Sequence, residues 1–115
     1  MVASLILPLY EGNNGTQNIV QTFLDTPGQN SRVNPNDEAR SLTLLNIRAG
    51  AYITVFDSKN RSLNDDYSII HVLQKTNVYT VSTFEFSGYY RDQYVEIFPA
   101  LNNGFDGKVF SIKIE

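Results

Sequence analysis

Short runs rich in Val, Ile, Thr, Phe and Tyr recur along the chain, and clusters of Asn, Asp, Gly, Ser and Pro separate them. No stretch sustains the 3.6-residue period of an amphipathic helix, so the pattern is that of an all-β chain. About eight segments read as strands: SLILPLYE, NIVQTF, SLTLLNI, AYITVFD, YSIIHVL, YTVSTFEF, YVEIFP and KVFSIKI. The separators GNNG, DTPGQN, NPNDE, DSKN and NNGFDG read as turns, several of them hairpins, because Gly and Asn accept positive φ and Pro presets a negative one. In the last segment Phe110, Ile112 and Ile114 alternate with Val109, Ser111 and Lys113. That period of two predicts a half-buried strand whose aromatic and aliphatic side chains face the core.

Composition narrows the class. A chain of 115 residues fits one domain, taken here as residues 1–115, and 42% hydrophobic residues with seven Phe and seven Tyr suffice for a core without disulfides. Nine Lys and Arg against twelve Asp and Glu argue against a phosphate-binding surface, so no nucleic-acid partner is expected. The absence of Cys removes thiolate nucleophiles, zinc knuckles and iron–sulfur clusters, and it leaves the redox compartment open. No Lys or Arg precedes Arg32, so the opening MVASLILPLY lacks the charged region of a secretory signal and reads as the first strand. No apolar run approaches the roughly 18 to 20 residues of a membrane span. A soluble protein is expected, of undetermined compartment and oligomeric state.

Two internal echoes then appear in order. Tyr10-Glu11-Gly12-Asn13-Asn14 and Phe56-Asp57-Ser58-Lys59-Asn60 share an aromatic, an acid, two residues and Asn, at an offset of 56 − 10 = 46. Asn36 through Leu42 and Asp106 through Ile112 share Asn or Asp first, Ser at the sixth place (Ser41, Ser111) and an aliphatic residue at the seventh. The order A, B, A′, B′ points to a duplicated β unit. On these residues the chain resembles the βγ-crystallin domain from about Leu9 to Ile114. The resemblance implies two Greek-key motifs in a two-sheet β-sandwich, at about 3–50 and about 51–115. The first spans 36 − 10 = 26 positions between its echoes and the second 106 − 56 = 50, so the second carries an insertion between Leu63 and Asn103.

The family's usual aromatic and Gly that pin the first hairpin are replaced by Gly15 and Gln17 in one half, and by Arg61 and Leu63 in the other. That hairpin must therefore be held differently. The resemblance also implies calcium sites in which the fifth residue of the closing stretch offers a hydroxyl oxygen, with Asn36, Asp37 and Asp106 nearby. Here the fifth places are Arg40 and Phe110, neither with an oxygen. A guanidinium donates and never accepts, so Arg40 would repel the ion and is expected to pair with a carboxylate such as Glu11, Asp37 or Asp57. The implied calcium site is degenerate or weak: no cofactor is required, and calcium binding stays open. Glu11, Arg40, Ser41 and Ser111 take structural roles in this reading.

Three other constellations carry chemistry. SLNDDYS collects Asn64, Asp65, Asp66 and Ser68, which suit either a weak calcium loop or a turn stabilised through its own backbone. The single His, His71, lies inside SIIHVL, where a packed or edge role and a catalytic one are both open. No Gly-x-Ser-x-Gly elbow, phosphate loop or His-Glu-x-x-His motif occurs, and a non-catalytic protein is expected. SGYYRDQY sets Tyr89, Tyr90 and Tyr94 beside Arg91, Asp92 and Gln93. Such a segment suits either a sugar- or protein-binding platform, as in a lectin-, defence- or toxin-like module, or a hairpin with its rings folded onto the sheet.

Overall fold

The computed structural model describes residues 5–34, 38–58, 61–101 and 108–115. Its strands are β1 (Ile6–Gly12), β2 (Thr16–Leu24), β3 (Gln29–Arg32), β4 (Ser41–Leu44), β5 (Tyr52–Phe56), β6 (Tyr67–Val72), β7 (Tyr79–Val81), β8 (Tyr90–Arg91), β9 (Val95–Ala100) and β10 (Ser111–Ile114). They form an all-β sandwich of two antiparallel sheets, one ordered β2-β1-β4-β7 and the other β3-β10-β5-β6-β9-β8. Every segment expected from the period of two contains a strand. The structure adds β3 and β8. The separator DTPGQN, read as a turn throughout, gives way to β3 at Gln29, because that polar strand is held by backbone pairing to β10 and not by an apolar face.

The core lies between the sheets. Leu7, Leu9, Phe23, Leu42 and Leu44 from one sheet meet Ile53, Val55, Ile70, Val72, Val95, Ile97, Ile112 and Ile114 from the other, and Phe84 joins the same cluster. Each fully buried aliphatic side chain of this kind contributes about 1.5 to 3 kcal/mol. The expected inward placement of Ile112 and Ile114 holds, but Phe110 is only half-buried while Val109 is fully buried. Strand pairing begins at Ser111, so the period of two does not extend back to Phe110.

The two echoes in the sequence correspond to the same set of contacts made twice. Tyr10 pairs with Ser41 and Leu9 with Leu42, while Phe56 pairs with Ser111 and Val55 with Ile112. The amide of Arg40 donates to the carbonyl of Tyr10 at 2.8 Å, and that of Phe110 to the carbonyl of Phe56 at 2.8 Å. The carbonyl of Arg40 receives the amide of Phe84 at 3.2 Å, and that of Phe110 receives the amide of Val33 at 2.9 Å. This last pair crosses between halves. β3 sits in the sheet of β5, β6 and β10, and β7 sits in the sheet of β1, β2 and β4, so each half lends a strand to the other.

The turn between β1 and β2 is a short 3-10 turn, Asn13–Gly15, that folds back over β4. It is tied by the amide of Gly15 to the Ser41 hydroxyl at 2.9 Å and by the amide of Asn14 to the Ser82 carbonyl at 2.8 Å. A Cβ at Gly12, at its base, would lie 2.2 Å from Thr16 Oγ1, so a larger residue there would displace the Thr16 side chain. Pro8 interrupts the β1–β4 ladder: it has no N–H to donate, and the pairing resumes only as an isolated Ile6–Leu45 bridge.

Candidate functional site

Alternation along the six-stranded sheet sends one set of side chains inward and the other to the outer face. Register aligns Tyr52 of β5, His71 of β6, Glu96 of β9 and Arg91 of β8 in one row across that outer face. Tyr52 stacks on His71 with ring centroids 4.1 Å apart and an interplanar angle of 3°. His71 Nδ1 lies 2.7 Å from Glu96 Oε2, and the Tyr89 hydroxyl donates to Glu96 Oε1 at 2.6 Å. Arg91 Nη1 stands 3.8 Å from the same oxygen. Tyr89 in turn packs against Phe98, their centroids 5.1 Å apart.

Glu96 is thus the hub of this face. The Tyr89 hydroxyl, then the His71 hydrogen bond, hold its carboxyl below the usual glutamate range against the opposing effect of desolvation. The reciprocal effect raises the Tyr89 phenol, chiefly through its bond to Glu96. The rings stay open to solvent: Tyr89 is 55% exposed, Tyr52 42% and Phe98 40%. Flat aromatic surface beside fixed, directed polar groups can stack on an apolar ring face and hydrogen-bond its substituents.

The segment SGYYRDQY divides between two environments. Arg91 pairs with Glu96 and Tyr90 with Ile97, which turns Arg91 outward and Tyr90 inward. Tyr90 stacks on Phe86 at 4.9 Å, Tyr94 packs on Tyr79 at 5.7 Å, and these rings lie against the core. Asp92 closes the hairpin. Its carboxylate accepts the amides of Tyr94 at 2.7 Å and Val95 at 3.0 Å, the Tyr90 hydroxyl at 2.8 Å and the Tyr79 hydroxyl. Burial alone would push Asp92 up, but these four donors outweigh it and hold the carboxyl below the usual range. Burial, and then the bond to Asp92, pushes the Tyr79 phenol well above its ordinary value. So Tyr89 and Arg91 belong to the outer face, while Tyr90 and Tyr94 serve the packing.

Of the six candidate calcium ligands, Asp65, Asp66 and Ser68 are among the described residues. Asn36, Asp37 and Asp106 lie outside the described residues. Asp65 accepts the amide of Asp66 at 3.0 Å, as in a turn, and Asp66 is fully buried with its carbonyl receiving the amide of Asp57. Ser68 faces the core side of β6, where its hydroxyl donates to the Phe84 carbonyl at 2.8 Å. Among the described residues no group of three or more His, Asp or Glu is placed to hold a metal ion.

The four structural candidates converge on the two hairpin turns. Arg40 Nη1 donates to the Glu11 main-chain carbonyl at 2.8 Å, and the Glu11 carboxylate accepts the amide of Asn18 at 3.3 Å. The Ser41 hydroxyl donates to the Gly12 carbonyl at 2.6 Å, and the Ser111 hydroxyl to the Ser58 carbonyl.

Tyr52, His71 and Glu96 could not be assembled from sequence, because cross-strand register alone brings them together. His71 was legible only as a strand residue. Two concave places lie elsewhere. A gap lined by Leu44, Ile47, Val72 and Tyr94 is too narrow to admit a water molecule, and an open groove of about 540 Å³ runs beside Phe23, Pro27 and Gln29. Neither is lined by a carboxylate, His, Lys or Arg. Comparisons with protein-family models, with curated proteins and with solved structures find no match to this chain.

Proposed function

We propose that the chain is a non-catalytic, βγ-crystallin-like module of two Greek-key units whose cation site is degenerate and whose working surface is the outer face of the six-stranded sheet. The repeated serine contact carries the reading: Ser41 to the Gly12 carbonyl and Ser111 to the Ser58 carbonyl, at equivalent places in the two halves. The strand order supports it as well, since a Greek key returns its fourth strand beside its first. Here β4 lies beside β1 and β10 beside β5. On this reading β6 follows β5 as β2 follows β1, and β8 and β9 are the insertion of the second unit.

Calcium is dispensable in this reading because Arg40 supplies the positive charge. Its guanidinium donates to the Glu11 carbonyl, the kind of oxygen a calcium ion would otherwise collect. Isothermal titration with calcium is expected to give no stoichiometric heat, and a tight one-to-one heat would overturn the degenerate site. Catalysis is disfavoured in this reading because His71 and Glu96 engage each other on an open sheet face.

A second reading, saccharide recognition, is favoured by one observation: the open Tyr89 ring lies beside Phe98 with Glu96 and Arg91 fixed at its edge. A glycan array on the wild type and on Tyr89→Ala tests it. Binding that the variant loses while keeping its fold supports this reading, and an array with no binder removes it.

A further inference from the structure

Four edge strands close the two sheets: β2 and β7 in one, β3 and β8 in the other. β7 has three residues, β8 two and β3 four, whereas β2 runs for nine, Thr16–Leu24. β2 contains no charged residue and no Pro, while β3 carries Arg32 and β8 carries Arg91. Among the described residues β2 pairs only with β1.

Register fixes which of its backbone groups point outward. Ile6 and Leu45 exchange hydrogen bonds, so the peptide groups of Ile6 face β4 and those of Leu7 and Leu9 face β2. Their partners Phe23 and Gln21 therefore face β1, and Thr22 between them directs its N–H and C=O away from the sheet. Ile19 and Leu24 on the same strand are 54% and 62% exposed. Natural sheets blunt a long edge with Lys, Pro, bulges or brevity; β2 has no Lys and no Pro, and although its pairing shifts register opposite Tyr10 and Gly12, Gln21–Leu24 pair with β1 without a shift.

We propose that β2 is a self-association edge, at which two copies of this chain pair antiparallel about a two-fold axis and join their four-stranded sheets into one sheet of 4 + 4 = 8 strands. A second copy is the fitting occupant because two-fold pairing sets each residue against itself or its near neighbours, so any charge meets its like. β2 is the long edge that incurs no such repulsion. Pairing satisfies the outward groups of Thr22 and withdraws Ile19 and Leu24 of both copies from water. One strand pair buries less than the roughly 1,200 to 2,000 Å² of a standard interface, so the dimer is expected to be weak and concentration-dependent.

Sedimentation velocity across about three decades of concentration, corresponding to about 4 kcal/mol in binding free energy, provides the test. The wild-type mass is expected to rise from 13.0 kDa toward twice that value, with amide exchange at Thr22 slowing in parallel. Thr22→Pro removes the outward N–H, and Thr22→Lys sets like charges across the axis. Both variants should remain monomeric with an unchanged circular dichroism spectrum. If the proline variant fails to fold, the lysine variant decides, since its side chain enters solvent. A wild type that stays monomeric throughout, or a dimer that Thr22→Lys leaves intact, overturns the proposal.

Discussion

The Ser111 hydroxyl donates to the Ser58 carbonyl just as the Ser41 hydroxyl donates to the Gly12 carbonyl, and both serines are fully buried. Each contact fastens a closing strand to the turn that follows an opening strand of the same half.

Removing either hydroxyl leaves a carbonyl without its donor. Ser41→Ala and Ser111→Ala are each expected to cost about 1 to 3 kcal/mol. Ser41→Ala should be the costlier, because the same hydroxyl also accepts the Gly15 amide. Urea denaturation checks both, and a loss confined to one of them would deny the equivalence of the halves.

Gly15 and Arg61 occupy matching places, 61 − 15 = 46 residues apart, and both adopt left-handed backbone, with φ of 67° and 57°. A side chain in that region costs about 1 to 2 kcal/mol, partly offset by the greater chain entropy of Gly. Arg61→Gly should therefore raise the melting temperature, while Gly15→Ala lowers it. Thermal melts of the two variants should move in opposite directions.

The Asp92 carboxyl has its pKa lowered in the folded protein, so the unfolded chain binds the proton more readily below about pH 4. Stability from this group is present above the unfolded pKa and is lost as pH falls through the folded one. Tyr79 behaves oppositely: its folded pKa is raised, so its contribution is present below about pH 10 and is lost as pH rises past the folded value. Melting temperature against pH should show a plateau with a loss on each side. Asp92→Asn should flatten the acid limb, and an unchanged limb would remove Asp92 as its source.

Tyr89 and Tyr94 stand five residues apart but face different environments. Tyr94→Ala removes a ring packed on Tyr79 and the core, at an expected cost of about 2 kcal/mol or more. Tyr89→Ala should leave the melting temperature nearly unchanged. Comparable losses from both would mean that the outer face serves stability.

Much of this architecture is legible in the residues themselves. Strand positions follow from the period of two, and the echoes at Tyr10 and Phe56, and at Ser41 and Ser111, fall on equivalent hydrogen bonds. What escaped has physical causes. β3, reading Gln-Asn-Ser-Arg, has no apolar face and exists through its backbone pairing to β10. SLTLLNI stops short at Leu44, and Asn46 beyond it adopts a φ of 58°. SGYYRDQY supplied two of the outer-face residues, Tyr89 and Arg91. Glu96, Tyr52 and Phe98 lie on strands whose mutual register no local pattern encodes.

The exchange of β3 and β7 between the halves bears on how the chain acquires its structure. Cut near Gly50, neither fragment would possess a finished sheet, because the strand each one lacks is carried by the other. The halves are therefore reciprocal templates. Separate peptides of the two should be unstructured alone and should reconstitute on mixing, and the intact chain should melt in one transition.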